Sequence, residues 1–150
     1  MRIAIQGEQG SFHEVAAEIY FSGKSFEIVP CTSFDLTLME VREKRADLAV
    51  MAIENARSGT ILYNYNLIRE SGMKIIGEIN LRIRQNLMAF PGQTIGDIRE
   101  IRSHPIALSQ CMTWLNRLHG VTIIESDDTA GSAKQISENK LAGTATIASA

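Results

Sequence analysis

The chain has 150 residues, of which 45% are hydrophobic and 21% charged, and its formal net charge at pH 7 is −2. This composition is typical of a globular protein with a sizeable core, and the lack of a basic block argues against a nucleic-acid partner. No apolar run approaches the about 20 residues that span a bilayer, and the N-terminal pattern is not that of a signal peptide, so we expect a cytoplasmic protein.

The first part of the chain predicts strands that alternate with helices. The predicted strands are 2–6, 26–31 and 47–53, and the predicted helices are 12–21, 33–45 and 60–71. A glycine-flanked turn at 7–11 joins the first strand to the first helix. Because it lacks the GxGxxG and Walker patterns, we interpret it as a tight βα turn whose amides face a cleft.

The third predicted strand ends directly at Glu54 and Asn55. The strand is a nearly unbroken apolar run, which suits a parallel strand covered on both faces. Ligands of open α/β sheets bind beyond the carboxyl ends of strands, so these two side chains are candidate site residues. A turn in which Asn55 bonds its own backbone is the alternative.

The second part of the chain begins with an extended segment, 73–90, in which residues 79–84 alternate as a strand with one wet face. A helical turn is expected from Thr94. Strands at 100–102, 121–125 and 144–149 then alternate with helices to about 118 and at about 129–139. This order predicts an α/β fold with mainly parallel sheets. We expect two βαβ-type lobes, 1–76 and 77–150, with a small-molecule cleft between them.

The stretch 103–111 opens the helix that follows the strand at 100–102. Pro105 suits a first helical turn, and Ser103 is expected to cap the helix. A helix start attracts carboxylates and phosphates. Ser103, Ala107 and Gln110 share one helical face, opposite an apolar stripe of Leu108, Cys111, Leu115 and Leu118. A plain cap with a solvated Gln110 is the alternative.

The side chains that could carry chemistry are mostly uncharged. His13, His104 and His119 lack the spacing of zinc ligands, and we interpret Cys31 and Cys111 as buried thiols. No nucleophile elbow is present. Hydrogen-bonding residues at strand ends suit an anionic, oxygen-rich small molecule better than metal-assisted hydrolysis: Gln9, Ser11, Asn55, Ser103, Gln110 and Thr129.

Six motifs, in order and spread over the whole chain, resemble the catalytic domain of prephenate dehydratases. They are Gly-Glu-Gln-Gly-Ser-Phe-His at 7–13, Ile-Glu-Asn-Ala-Arg-Ser-Gly at 53–59, Glu-Ile-Asn-Leu-Arg-Ile at 78–83, Ser-His-Pro-Ile-Ala-Leu-Ser-Gln-Cys at 103–111, Asp-Thr-Ala-Gly-Ser-Ala at 128–133 and Ala-Thr-Ile-Ala-Ser at 145–149. Each motif alone is a weak signal, but the ordered set is specific.

The resemblance implies a type II periplasmic-binding-protein-like fold with a cleft between two lobes. It implies conversion of prephenate to phenylpyruvate with loss of CO2 and water in phenylalanine biosynthesis. It also implies no metal or organic cofactor, and a homodimer or homotetramer.

The same resemblance suggests roles for individual residues. Asn55, Ser103 and Gln110 match family residues implicated in catalysis and substrate binding. We expect Ser103 and the helix start to bind a substrate carboxylate, and Asn55 and Gln110 to orient the substrate. Four more residues are expected at the substrate: Ser11, Glu54, His104 and Thr129. We expect Glu54 to fix the loop or a subunit contact rather than to transfer protons.

The sequence also departs from the family pattern. Ala56 replaces a usual Ser, and Gln85 stands where the family commonly has His. The family's chain continues to a return segment with a Thr-Arg-Phe motif, whose Thr is its leading catalytic candidate, and often to an ACT domain; these 150 residues contain neither. The alternatives are a non-catalytic sensor of small carboxylates and a doubly wound protein of response-regulator type, which would have one continuous sheet and an acidic cluster at strand ends.

Overall fold

The computed structural model describes residues 1–56 and 59–149, which divide into two compact units, Met1–Arg82 and Ile83–Ala150. The sequence-based lobe boundary after residue 76 lies within the first unit. Each unit has its own sheet, and no continuous sheet joins the described strands of the two. The response-regulator alternative, which requires one continuous sheet, is therefore wrong.

The first unit is a three-stranded parallel sheet with its helices. Its elements are β1 Arg2–Gln6, α1 Phe12–Tyr20, β2 Glu27–Cys31, α2 Phe34–Arg42 and β3 Leu48–Val50. The strand order is β2-β1-β3. The predicted strands and helices are confirmed, although the third strand is shorter than predicted because only Leu48–Val50 pairs with β1.

The central strand β1 supplies the core of this unit on both faces. Ile3 and Ile5 pack with Ala17 and Phe21 of the α1 region. Ala4, whose side chain points the opposite way, packs in a second cluster that includes Cys31. All three β1 side chains are fully buried. Cys31 is buried as predicted, whereas Cys111 in the second unit is only half-buried.

The rest of the first unit contains a hairpin and a helix: β4 Glu54–Asn55, β5 Gly59–Thr60 and α3 Leu62–Ser71. The predicted helix is confirmed, and it ends at Gly72 in a left-handed conformation with φ 70°. The predicted strand at 79–84 is wrong, since none of the described strands pairs with it. Alternation supplies an apolar face, but a strand also needs a partner edge. The preceding stretch is held instead by the Tyr20 hydroxyl, which donates to the Ile76 carbonyl at 3.4 Å.

The second unit is a four-stranded mixed sheet. Its elements are β6 Asn86–Ala89, a 3₁₀ turn Ile95–Asp97, β7 Glu100–Ser103, α4 Pro105–Leu115, β8 Thr122–Glu125, α5 Thr129–Glu138 and β9 Thr144–Ala148. The strand order is β6-β9-β7-β8, with β6 antiparallel to β9 and the other neighbours parallel. The predicted β–α–β–α–β run and the turn after Thr94 are confirmed.

Helix α4 covers the core of this unit. Leu108 and Leu115 pack with Ile101 and Ile147 of the sheet, as the apolar stripe predicts. Ala107 was expected on the polar face, but it is 3% exposed and belongs to the same core. The buried face of a core helix is wide enough to include both neighbours, 107 and 108. Among the described residues, no helix is long and apolar enough to cross a membrane.

Candidate functional site

Each unit contains a βαβαβ run whose first strand lies between the other two strands of the run. Strand β1 lies between β2 and β3, and β7 lies between β8 and β9. The first crossover therefore runs from the central strand to one neighbour, and the second runs back across the sheet to the other neighbour. This reversal creates a switch point beyond the carboxyl end of the central strand. Open α/β sheets bind ligands at such points. Ser11 follows β1, Ser103 ends β7 and His104 follows it, so three sequence-predicted residues lie near switch points of their own sheets.

The loop at 7–11 is fixed by its backbone and by the cap of α1. Gly7 and Gly10 have φ of 100° and 86°, a region that favours glycine. Ser11 is buried, and its Oγ accepts a hydrogen bond from the Glu14 N–H at 3.4 Å. The Glu14 carboxylate in turn accepts from the Gly10 N–H. Ser11 is thus placed by helix capping at the edge of the first sheet.

His13, on the first turn of α1, is a half-buried residue that the sequence singled out only as part of the 7–13 motif and as an unsupported metal ligand. Its ring lies edge-on to Phe34 with 5.4 Å between centroids. It has one hydrogen bond to the Gln6 backbone. Its Nε2 is buried and has no hydrogen-bond partner among the described residues. Burial, the larger effect, lowers the pKa of His13 despite that hydrogen bond.

Glu54 and Asn55 lie in the hairpin that follows β3. Asn55 is half-buried opposite Gly59, and Glu54 is exposed opposite Thr60. The Ile61 N–H closes the hairpin by donating to the Ile53 carbonyl at 2.9 Å. Arg57 and Ser58, which belong to the same motif, lie outside the described residues.

Asn64 anchors the segment that leads into this hairpin. It is fully buried on α3, and its Nδ2 donates to the Ala52 carbonyl at 2.7 Å. Its Oδ1 is buried with no partner in the described part of the chain. Sequence reasoning missed Asn64, because a hydrogen bond from a helix back to a preceding loop leaves no local pattern.

Ser103 does not cap α4, and that prediction is wrong. It is the last residue of β7, fully buried, and its Oγ donates to the Ile147 carbonyl at 2.6 Å. The cap is His104, whose Nδ1 accepts from the Ile106 N–H at 3.2 Å. Because Pro105 occupies the first helical position, the cap must be the residue directly before it.

Thr129 opens α5 at the same edge of the second sheet. The strand register places Ser103 beside Glu125, and the Ser126 N–H donates to the Ser103 carbonyl at 3.0 Å. Asp128 caps α5 by accepting from the Gly131 N–H at 2.6 Å. The structure therefore brings Ser103, His104 and the start of α5 to one sheet edge.

Gln110 lies further along α4, where its carboxamide is paired with a second one. The Gln85 Nε2 donates to the Gln110 Oε1 at 3.0 Å. Gln85 also borders a cavity of about 220 Å³, lined by Gln85, Asn86, Leu87, Cys111, Trp114 and Ile147. The sequence marked Gln85 only as a departure from a family pattern. Its contact with Gln110 spans 25 positions and has no sequence signature.

The second unit offers donors and a helix start rather than a metal centre. The described residues contain no group of three His, Cys, Asp or Glu that could hold a metal ion. The start of α4 presents partial positive charge, and the amides of Gln85 and Gln110 add hydrogen-bonding groups on neighbouring elements. This chemistry suits a small carboxylate.

The two sheets and their connections define an open α/β protein, a class in which ligands bind beyond the carboxyl ends of the strands. The model of one family, described as prephenate dehydratase, matches residues 3–150. The chain therefore belongs to the prephenate dehydratase family.

Named relatives and solved structures agree with this assignment. The chain is 41% identical over 149 residues to arogenate dehydratase/prephenate dehydratase 2, chloroplastic, of Arabidopsis thaliana, covering 99% of this chain and 38% of the relative. It is 34% identical over 136 residues to a bifunctional N-acyl-homoserine lactone acylase/prephenate dehydratase of Komagataeibacter europaeus, covering 91% and 47%.

Two solved structures have the same fold as this chain. The prephenate dehydratase of Arthrobacter aurescens in complex with L-Phe matches with a TM-score of 0.76 and 27% identity, covering 99% of this chain and 50% of that one. GqqA, described as a novel type of quorum-quenching acylase, matches with a TM-score of 0.86 and 33% identity, covering 100% and 54%. The chain thus spans about half of these structures, and less than half of the Arabidopsis relative.

Proposed function

We propose that the protein carrying these 150 residues converts prephenate to phenylpyruvate, with loss of CO2 and water, in phenylalanine biosynthesis. The observation that carries this proposal is the family match over residues 3–150. The structure supports it by placing Ser103, His104 and Thr129 at one sheet edge. The rival is a sensor that binds a small carboxylate without turnover, and no contact among the described residues favours it.

The proposed reaction needs little from the protein beyond orientation and charge stabilisation. The C–C bond to the ring carboxylate breaks, and its electrons enter the ring as CO2 departs. The ring hydroxyl leaves with a proton as water, and the ring becomes aromatic. No base is required, so the site needs hydrogen-bond donors for two carboxylates and a weak acid for the leaving hydroxyl.

In the proposal, several residues of the second unit bind or orient the substrate. The partial positive charge at the start of α4 and the His104 side chain bind a substrate carboxylate. The buried Ser103 hydroxyl fixes the start of α4 through its bond to Ile147. Thr129 adds a hydroxyl from the start of α5, and Gln110 orients the substrate.

The residues of the first unit have complementary roles. Asn55 orients the substrate, Ser11 lies at the loop that contacts it, and Glu54 holds the hairpin or a subunit contact. We further propose that the two units are the lobes of a type II periplasmic-binding-protein-like fold. The proposed enzyme is a cytoplasmic homodimer or homotetramer that uses no metal or organic cofactor.

A substrate panel combined with calorimetry tests this function. The whole protein is supplied in parallel with prephenate, arogenate and an N-acyl-homoserine lactone, and each product is quantified. The proposal expects phenylpyruvate from prephenate. Binding of prephenate without turnover would instead establish the sensor, and turnover of the lactone alone would assign the chain to the acylase activity that two of its relatives are named for.

A further inference from the structure

The side chain of Gln85 is hydrogen-bonded to the side-chain carboxamide of Gln110. Gln85 lies directly before β6, and Gln110 lies in the middle of α4, so their hydrogen bond of 3.0 Å joins two elements far apart in sequence. Both residues are half-buried, so water competes less for this bond than at an exposed pair. The bond therefore restricts the orientation of the long Gln110 side chain.

The direction of this bond determines which end of the Gln110 amide is turned away from Gln85. The Gln110 oxygen accepts the bond, so its amino group forms the other end of the carboxamide. An amino group is a donor, and carboxylate or hydroxyl oxygens accept from donors. The pairing with Gln85 thus selects the orientation in which Gln110 suits an anionic, oxygen-rich molecule.

The carbonyl oxygen of the Gln85 carboxamide lowers the stability of the fold. This atom, Oε1, is buried with no hydrogen-bond partner among the described residues. An unpaired buried acceptor lowers the free energy of unfolding. A leucine here would lie beside Leu87 and Trp114 of the same cavity without that penalty. Residues that lower the stability of a fold are expected at positions where function requires them.

We propose that Gln85 is a positioning residue that orients Gln110 toward the substrate. This inference rests on the proposed function, because Gln110 is the residue through which Gln85 acts. A side chain that lacks the donor removes this restraint on the Gln110 carboxamide, whereas a side chain that keeps an N–H donor retains it.

Steady-state kinetics with prephenate test the proposal in the whole protein. Gln85→Leu should lower kcat/KM about tenfold, through the loss of one oriented contact, and Gln85→Met should do the same if the leucine variant folds poorly. Gln85→His, which keeps a ring N–H, should remain within about threefold of the wild type. The matched control is Gln135→Leu, an exposed position on α5 of the same unit, which should leave the rate unchanged.

A double-mutant cycle separates positioning from a general structural effect. In a Gln110→Ala background, Gln85→Leu should change kcat/KM by less than about twofold, because the group that it positions is gone. A full tenfold loss in that background would show that Gln85 acts independently and would overturn the proposal. So would a Gln85→Leu enzyme with the wild-type rate.

A readout without turnover distinguishes failure of this inference from failure of the proposed function. Nitrogen relaxation of the Gln110 side-chain amide should show an ordered group in the wild type and a mobile one in Gln85→Leu. Equal mobility in both proteins would overturn the inference even if the protein is a dehydratase. Ordering by Gln85 in a protein that does not turn over prephenate would contradict the proposed function and leave the contact itself established.

Discussion

The Ser103 hydroxyl reaches across from β7 to the carbonyl of Ile147 in β9, at 2.6 Å. The backbone register of these strands ends one residue earlier, at Arg102 and Thr146. The side chain therefore extends the contact between the strands to the point where the chain turns into α4. It fixes the start of that helix relative to the sheet, and the helix start is the proposed carboxylate site.

Replacement of Ser103 by alanine should lower the free energy of unfolding by about 1–2 kcal/mol, because a buried hydrogen bond is lost. Urea unfolding of the two proteins measures the difference. The control is Ser109→Ala, since Ser109 is exposed and its hydroxyl donates to the Ile106 carbonyl of its own helix. That variant should change stability by less than about 0.5 kcal/mol. Equal losses in both variants would contradict a special role of the Ser103 bond.

Replacement of Asn64 by alanine should loosen the hairpin that carries Asn55. The variant loses the bond from Nδ2 to the Ala52 carbonyl and leaves a small cavity, for a combined loss of about 1–3 kcal/mol. The amide of Ile61, which closes the hairpin, should exchange its hydrogen faster. Asn66→Ala, at an exposed position of the same helix, is the control. An unchanged exchange rate at Ile61 would show that Asn64 does not anchor the hairpin.

His13 should make the folded protein sensitive to mild acid. Burial lowers its pKa in the folded state below the ordinary value of 6.5, so between these two pKa values the unfolded chain binds a proton that the folded chain does not. Stability contributed by the neutral imidazole is therefore present above pH 6.5 and is lost as pH falls toward the folded-state pKa. The slope for one such group is at most about 1.4 kcal/mol per pH unit.

Unfolding free energies measured at several pH values test this in the wild type and in His13→Phe, which keeps a ring against Phe34. The difference between the two proteins should grow in favour of the variant as the pH is lowered through the window below 6.5. Parallel pH curves would mean that His13 does not titrate differently in the folded and unfolded states.

The sequence predicts helix starts well where the information is local. The helix predicted to start at residue 33 is α2, and the Oγ of Ser33 caps it by accepting from the Leu36 N–H at 3.3 Å. Thr94 was expected to begin a helical turn, and it exchanges bonds with Asp97 in a capping box. In both cases the side chain and its partner lie three residues apart, so the signal is contained in the sequence itself.

The sequence predicts poorly where the deciding partner is distant. Residues 79–84 alternate like a strand, but pairing depends on an edge elsewhere, and none of the described strands supplies it. Serine is a common helix-capping residue, yet the partner of the Ser103 hydroxyl is Ile147, which is 44 positions away. The roles of Asn64 and Gln85 likewise depend on contacts across the fold. Motif order was enough to predict the family, while these contacts required coordinates.

Replacement of Gln110 by alanine should lower prephenate turnover at least about tenfold with little change in stability, because one oriented group is lost from a half-buried helix position. Gln135→Ala is the matched control on an exposed helix face. Equal rates in the Gln110 variant and the wild type would remove Gln110 from the site and would also remove the basis for a role of Gln85.

We propose that this chain supplies the prephenate-binding portion of a dehydratase, so the rate at which the whole purified protein releases phenylpyruvate from prephenate is the decisive quantity. We expect catalytic turnover, without added metal or cofactor, that falls in Gln110→Ala and persists in Gln135→Ala. A folded whole protein that yields no phenylpyruvate above the spontaneous rate would overturn this assignment.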